Sequence, residues 1–223
     1  MDNVIKLNLL GLGSIGRIVL ELVAHHPKVY GVEAFYDDAQ SKLGESYRGI
    51  KVKSSIKNFV STANSSDIFF NCLGNINAYQ ARINYSKTLR KLGVRTLTLS
   101  HHSASVSPSV EMGSGCLICP MVVLHTNVKI GEENIIFSNT VIEHDSTIGD
   151  YCYLSPSVTL CGKVILNDGV YLGPNAVLAA GITIGKNAIV GAGSIVLDDI
   201  PDNSVYVGNP AKFLKMNELW RTE

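Results

Sequence analysis

From Val106 to Val196 an aliphatic residue recurs at every sixth position, with no miss and no inserted residue. The series runs Val106, Met112, Ile118, Leu124, Ile130, Ile136, Ile142, Ile148, Leu154, Leu160, Leu166, Leu172, Leu178, Ile184, Val190 and Val196. A helix face repeats about every 3.6 residues and a half-buried strand about every 2, so neither explains the period. Two positions earlier stands a mostly small or β-branched residue, as in Val110, Val122, Val128, Ser146, Val158, Val164, Ala176 and Ala188. One large and one small inward side chain per hexad describes a parallel β-helix of short strands and tight corners. With three hexads to a triangular coil, the run holds about five coils. Gly113, Gly131, Gly149, Asn167 and Gly185 follow the large aliphatic at one corner. Their residue types predict a left-handed backbone there.

Before residue 100 the pattern changes to alternating strands and helices. Ile5 to Leu10 reads as a strand, followed by a glycine-rich turn and a helix to about His25. Val32 to Tyr36, Asp67 to Leu73 and Arg95 to Leu99 read as further strands, and Ala78 to Leu92 as a helix. Such alternation implies a small parallel sheet covered by helices. The expected division is a Rossmann-like α/β domain over 1–100 and a β-helix over 101–223, with Ser100 to Ser105 leading into the first coil.

Lysine plus arginine and aspartate plus glutamate both number 19, which gives no electrostatic case for nucleic acid or an anionic membrane. No apolar run approaches the roughly 20 residues of a membrane span, and no signal-type segment opens the chain. The expectation is a cytoplasmic protein. Five cysteines at irregular spacing suit that compartment. Cys116 and Cys119 form a C-x-x-C, but Cys116 takes a small inward repeat position and there is no second pair. Neither zinc nor redox chemistry is expected, and no metal site is assigned.

Gly11-x-Gly13-x-x-Gly16 lies between a strand and a helix, with Asp37 about 20 residues on. Glycines let the backbone approach a pyrophosphate, and the helix N-terminus favours its charge. The domain lacks the second βαβ half that would hold a nicotinamide. A nucleoside-diphosphate sugar needs only the phosphate cradle; NAD and a purely structural turn remain alternatives.

The second motif is Val141-Ile142-Glu143-His144-Asp145. Ile142 is inward, so His144 falls near a corner and outside the core, with acids on both sides. At spacing 18 its column contains Thr126, Gly162 and Ala180, whose small side chains leave a slot lined by backbone amides. This arrangement fits a general base oriented by a carboxylate, beside an exposed N–H donor. A surface histidine without a role is the alternative.

The chain resembles the left-handed β-helix acetyltransferases of bacterial surface-sugar pathways. That group includes sialic acid O-acetyltransferases and N-acetyltransferases of UDP-4-amino-sugars in bacillosamine synthesis. The resemblance rests on the glycine turn, Tyr36-Asp37-Asp38, His101-x-Ser103-Ala104, Ile142-Glu143-His144-Asp145, Gly162 and the closing Val207-Gly208-Asn209-Pro210-Ala211-Lys212. It implies left-handed coiling, a homotrimer, and acetyl-CoA in a cleft between subunits. By resemblance, His144 matches the catalytic base, Asp145 the acid that tunes it, and Gly162 the donor to the thioester carbonyl. Gly162, Gly173, Ala180, Ala192 and Lys212 would border the cofactor. Gly11, Gly13, Ser14, Asp37, Asp38 and Asn75 would hold the nucleotide-sugar. The family pattern is broken at Ser14 and Ile15, where Gly-His is usual. It is broken again at Phe137, where an asparagine is common although Asn139 is near, and at Tyr153, where a second histidine is common.

The resulting expectation is acetyl-CoA-dependent N-acetylation of a nucleotide-linked amino-deoxy sugar. O-acetylation of sialic acid or another sugar hydroxyl is the nearest alternative. An NAD-dependent oxidoreductase, a metal-dependent hydratase and a non-catalytic scaffold are more distant. The hydratase needs three convergent histidines, and His25, His26, His101, His102, His125 and His144 offer no such trio by spacing.

Overall fold

The computed structural model describes residues 4–26, 28–74 and 76–218, and the chain separates into two compact units, 1–97 and 98–223. The first unit orders β1 (Ile5–Leu10), α1 (Ser14–Ala24), β2 (Tyr30–Tyr36), β3 (Ser46–Tyr47), β4 (Ile50–Ser54), α2 (Ile56–Thr62), β5 (Ile68–Asn71), α3 (Tyr79–Lys91) and β6 (Arg95–Thr96). Its sheet runs β3-β4-β2-β1-β5-β6, parallel throughout except for the β3–β4 hairpin. Leu7, Leu9 and Leu10 on β1 and Phe69 and Phe70 on β5 are fully buried. Near-continuous apolar strands of this kind are what a sheet covered on both faces requires. The chain leaves β1 toward β2 on one side and returns to β5 on the other. The carboxyl end of β1, where the glycine turn lies, is therefore a topological switch point.

The second unit is a parallel β-helix whose two-residue strands stack in sheets of six, six and five, the first extended to eight by the C-terminal hairpin. Register between coils is 18 residues, as in Val123↔Val141, Val141↔Thr159 and Thr159↔Val177. Ile118, Ile136, Ile142, Leu154, Leu160, Leu172, Leu178 and Ile184 are all 0 % exposed, and so are the small partners Val122, Val128, Val158, Val164, Ala176 and Ala188. Burying each large side chain contributes roughly 1.5–3 kcal/mol, which accounts for a core without any helix. The first members of the series depart from this. Val106 is 41 % exposed and Met112 is only half-buried, because the first coil has a stacked neighbour on one side only.

The left-handed corner residues also differ from expectation. Positive φ recurs at every sixth residue from Gly115 to Gly193, through Met121, Asn127, Glu133, Asn139, Asp145, Tyr151 and onward. That is three positions after the inward aliphatic. Gly113, Gly131, Gly149 and Gly185 stand one position after it and have no positive φ. They are glycine because coils stack closely there. A β-carbon on Gly113 would lie 2.8 Å from the carbonyl carbon of Gly131, and one on Gly149 2.8 Å from the Asp168 nitrogen. Carboxylates brace the same corner. Asp150 Oδ1 accepts the Glu132 N–H at 2.7 Å, and Asp168 Oδ1 accepts the Asp150 N–H at 3.0 Å.

The expected strand from Arg95 to Leu99 is divided. Arg95–Thr96 closes the first sheet, whereas Leu99–Ser100 pairs with Leu117–Ile118 and opens the β-helix. Thr98 already belongs to the coil, since its hydroxyl donates to the Gly113 carbonyl at 2.7 Å and accepts the Cys116 N–H at 3.2 Å. The β-helix thus begins before the segment Ser100 to Ser105. It ends in an antiparallel hairpin, Ser204–Val207 with Lys212–Met216. Among the described residues no helix is long and apolar enough to cross a membrane.

Candidate active site

Strand Val141–Ile142 points Ile142 inward and delivers His144 and Asp145 to the next corner. Asp145 adopts φ +59, the left-handed position, and its N–H donates to the Thr126 carbonyl at 3.0 Å. In that conformation Asp145 Oδ2 lies 2.8 Å from His144 Nδ1. The carboxylate makes Nδ1 the protonated nitrogen and leaves the Nε2 lone pair open. Asp145 Oδ1 accepts the Asn127 side-chain amide at 3.0 Å. Hydrogen bonds from His144 and Asn127 hold the Asp145 carboxyl below the usual carboxylate range, against an opposing desolvation and with help from the His144 and Lys163 charges.

The imidazole lies over Gly162, one coil on. A β-carbon there would come within 2.6 Å of Nε2 and 2.7 Å of Cε1. Gly162 does not have positive φ, so its lack of a side chain makes room for the ring. Among the described residues no acceptor takes the Gly162 N–H, whereas its carbonyl accepts from Gly181 at 3.0 Å. Ala180 continues this corner. Gly173 and Ala192 lie at a different corner of the same chain, 11 and 12 residues past Gly162 and Ala180. Lys212 stands exposed on the C-terminal hairpin. Glu143 does not share the His144 ring; it faces His125 one coil back, 3.6 Å away. Phe137, Tyr153 and Tyr171 form a ladder of rings with centroids 5.2 and 5.1 Å apart, so two of the departures from the family pattern pack against each other.

In the first unit Gly11 adopts φ +107, and its N–H donates to the Tyr36 carbonyl at 2.7 Å. Gly13 precedes α1 with no side-chain cap, and a β-carbon on it would meet nothing within 4 Å. Gly16 is needed for packing: its β-carbon would strike the Gly11 carbonyl oxygen and lie 3.1 Å from the Phe35 ring. Ser14 is exposed at the start of α1, while Ile15 is buried in the core.

Asp37, expected on base or ribose, is 7 % exposed and bound within the chain. Its carboxylate accepts the N–H groups of Leu12 (2.9 Å) and Ala39 (3.0 Å) and the Lys42 ammonium (2.9 Å). Burial raises its pKa, but Lys42 and the two amides outweigh this and hold it below the ordinary value. Asp38 accepts the Lys57 N–H at 3.2 Å and the Tyr85 hydroxyl. Asn75 lies outside the described residues.

Among the described residues no disulfide joins the cysteines, and Cys116 donates to the Gly131 carbonyl at 3.2 Å. Among the described residues no group of three or more His, Cys, Asp or Glu side chains could hold a metal ion. Asn127 and Lys42 were missed in the sequence. Asn127 was reachable by the arithmetic that stacks Gly162 on His144, since it lies 18 before Asp145; nothing in the sequence marks Lys42.

Residues 127–162 and 163–198 match the family model described as bacterial transferase hexapeptide (six repeats). GDP-perosamine N-acetyltransferase of Escherichia coli O157:H7 is 31 % identical over 83 residues. The match covers 37 % of this chain and 38 % of that relative, so it spans less than half of either. PerB from Caulobacter crescentus, solved with CoA and GDP-perosamine, has a TM-score of 0.83 at 28 % identity over 94 % of this chain and 97 % of that one. The acetyltransferase domain of PglB from Neisseria gonorrhoeae FA1090, solved with acetyl coenzyme A, gives 0.85 at 25 % identity over 95 % and 100 %. The fold is the expected one, an α/β parallel-sheet unit followed by a left-handed β-helix of hexapeptide repeats.

Proposed function

We propose that this chain, whose residues 127–162 and 163–198 match the bacterial transferase hexapeptide model, is an acetyl-CoA-dependent N-acetyltransferase acting on a nucleotide-linked amino-deoxy sugar. One observation carries this reading: His144 Nδ1 is engaged by Asp145 while Nε2 lies over Gly162, whose missing side chain makes room for the ring. The sugar amine attacks the thioester carbonyl as Nε2 takes its proton. Asp145 stabilises the imidazolium so formed, and the proton then passes to the departing CoA thiolate. The Gly162 N–H, with no acceptor among the described residues, meets the negative charge developing on the thioester oxygen. Holding amine and thioester together removes the entropy cost of a bimolecular encounter.

The homotrimer is part of the same proposal. Gly162 and Ala180 mark one corner of the coil, and Gly173 and Ala192 another. A co-substrate bordered by all four fits a cleft between two copies of the chain. In the first unit the Gly11-to-Ser14 turn receives the diphosphate, Asp37 holds that turn in place, and Asp38 borders the nucleoside. The Escherichia coli relative is an N-acetyltransferase by its description, and PerB was solved with GDP-perosamine, an amino-sugar nucleotide; both favour an amine over a sugar hydroxyl as acceptor. A cytoplasmic location fits both soluble co-substrates.

Thiol release from acetyl-CoA with GDP-, UDP- and dTDP-linked 4-amino sugars, beside a sugar hydroxyl acceptor, tests the reading. Turnover is expected with an amino sugar and should fall by roughly 10²–10⁴ in His144→Ala, as for a lost general base. Wild-type turnover in His144→Ala, or acetylation confined to hydroxyl acceptors, overturns it.

A further inference from the structure

We propose that Asn127 is a positioning residue of the transfer site, fixing the Asp145 carboxylate and through it the tautomer and orientation of the His144 imidazole. The proposal rests on the reading of His144 as the base. Asn127, Asp145 and Lys163 lie 18 apart and occupy the left-handed corner position of three successive coils, at φ 58, 59 and 63. The Asn127 amide donates to Asp145 Oδ1 at 3.0 Å, and His144 Nδ1 meets Oδ2 at 2.8 Å. Each carboxylate oxygen therefore has its own directed partner, and the group cannot rotate without breaking both contacts. Asn127 is itself anchored, because its backbone N–H donates to Ser109 Oγ at 2.9 Å. A line of contacts thus runs from Ser109 through Asn127 and Asp145 to His144 and ends over Gly162.

The Asn127 side chain is exposed. A left-handed corner asks only for a residue that tolerates it, and Met121, Tyr151 and Lys163 serve elsewhere. Asparagine suits such a corner, as at Asn139, Asn175 and Asn187; what sets Asn127 apart is the carboxylate opposite, which accepts its side-chain amide. His144 and Asp145 are about half exposed, and an isolated exposed ion pair orders its partners weakly. A second donor on the far oxygen supplies the missing constraint. The charged groups around the imidazole are Asp145, Lys163 on the following coil, and Glu143, which is turned toward His125.

The test is steady-state turnover against pH, with melting temperature, for Asn127→Gly, Asn127→Asp and His144→Ala. Glycine keeps the left-handed backbone and deletes the amide. It should leave both KM values and the melting temperature nearly unchanged while kcat falls by roughly 10- to 100-fold, the cost of a misplaced catalytic group. Aspartate keeps the size but sets a second carboxylate against Asp145. The added negative charge favours the imidazolium and should move the acid limb of kcat/KM to higher pH. If His144→Ala is inactive while both Asn127 variants keep wild-type kcat and an unshifted limb, Asn127 is only a corner residue and the proposal fails alone. A loss of kcat in Asn127→Gly that merely follows a lower melting temperature also overturns it. Wild-type turnover in His144→Ala removes the base assignment and this proposal with it.

Discussion

The imidazole of His144 occupies the space that a side chain on Gly162 would fill, with Nε2 2.6 Å from the position of the absent β-carbon. The obstructed group is the end of a half-exposed side chain, which can swing away at little cost in stability. Gly162→Ala should therefore melt close to wild type yet lose roughly 10²-fold in turnover, since the ring is displaced from the acceptor. Because the damage runs through the ring, adding Gly162→Ala to His144→Ala should cost little more. Fully additive losses in that double-variant cycle would separate the two residues.

The β-helix was legible because each coil repeats one steric demand, an inward aliphatic flanked by a small residue. That demand is strong enough to leave Ile118 to Ile184 without an interruption. Its corners were misplaced by two residues. The visible glycine column, Gly113, Gly131 and Gly149, reports close stacking, whereas the left-handed bend is carried by residues as unlike as Met121, Glu133, Tyr151 and Lys163. In the first unit the strands at Ile5, Val32 and Asp67 were read, while β3, β4 and α2 were not. Those elements are short, and α2 shows only one turn of helical spacing, Ile56, Phe59 and Val60, behind Ser55, whose hydroxyl accepts the Asn58 N–H at 3.1 Å. His144 with Gly162 was readable from the coil register. The partners of Asp37 were not, because Lys42 and Leu12 meet it only through tertiary folding.

The two kinds of coil glycine make opposite demands and can be separated by substitution. Gly149→Ala places a β-carbon 2.8 Å from the Asp168 backbone nitrogen, which cannot move without opening the stack. It should cost up to about 3 kcal/mol, in the range of overpacked cores. Gly181 has φ +75 and nothing within 4 Å of its absent β-carbon, so Gly181→Ala should cost only the left-handed penalty of about 1 kcal/mol. Urea unfolding of both variants checks the order; a larger loss at Gly181 would reverse the assignment.

Thiol reactivity should follow burial. Cys119 and Cys152 are pushed up to about 12 by burial, so neither is a thiolate near neutral pH. Cys161 is the one thiol that is not fully buried. Brief alkylation of the native protein at pH 8, read by mass spectrometry, should label Cys161 first and leave Cys119 and Cys152 until the protein is denatured. Early labelling of Cys152 would place an opening in the core of the β-helix.

Asp37 ties the glycine turn to the end of β2, and its charge should be visible in the acid stability of the first unit. Burial raises its pKa while Lys42 and the Leu12 and Ala39 amides lower it further, for a net depression. A carboxyl with a depressed folded pKa contributes stability that is fully present above its unfolded value of about 3.9 and fades as pH falls through the folded value below it. Asp37→Ala removes that contribution at every pH and leaves the Leu12 N–H without its acceptor, a cost of about 1–3 kcal/mol near neutrality. The stability gap between wild type and variant should thus be widest above pH 4 and narrow in stronger acid. Nucleoside-diphosphate affinity should fall as well, because Leu12 sits between Gly11 and Gly13 in the phosphate turn. Urea titrations at several pH values, paired with calorimetry of nucleotide binding, measure both effects. A gap that stays constant through the acid range would mean that Asp37 serves by packing and that its charge contributes nothing to holding the turn.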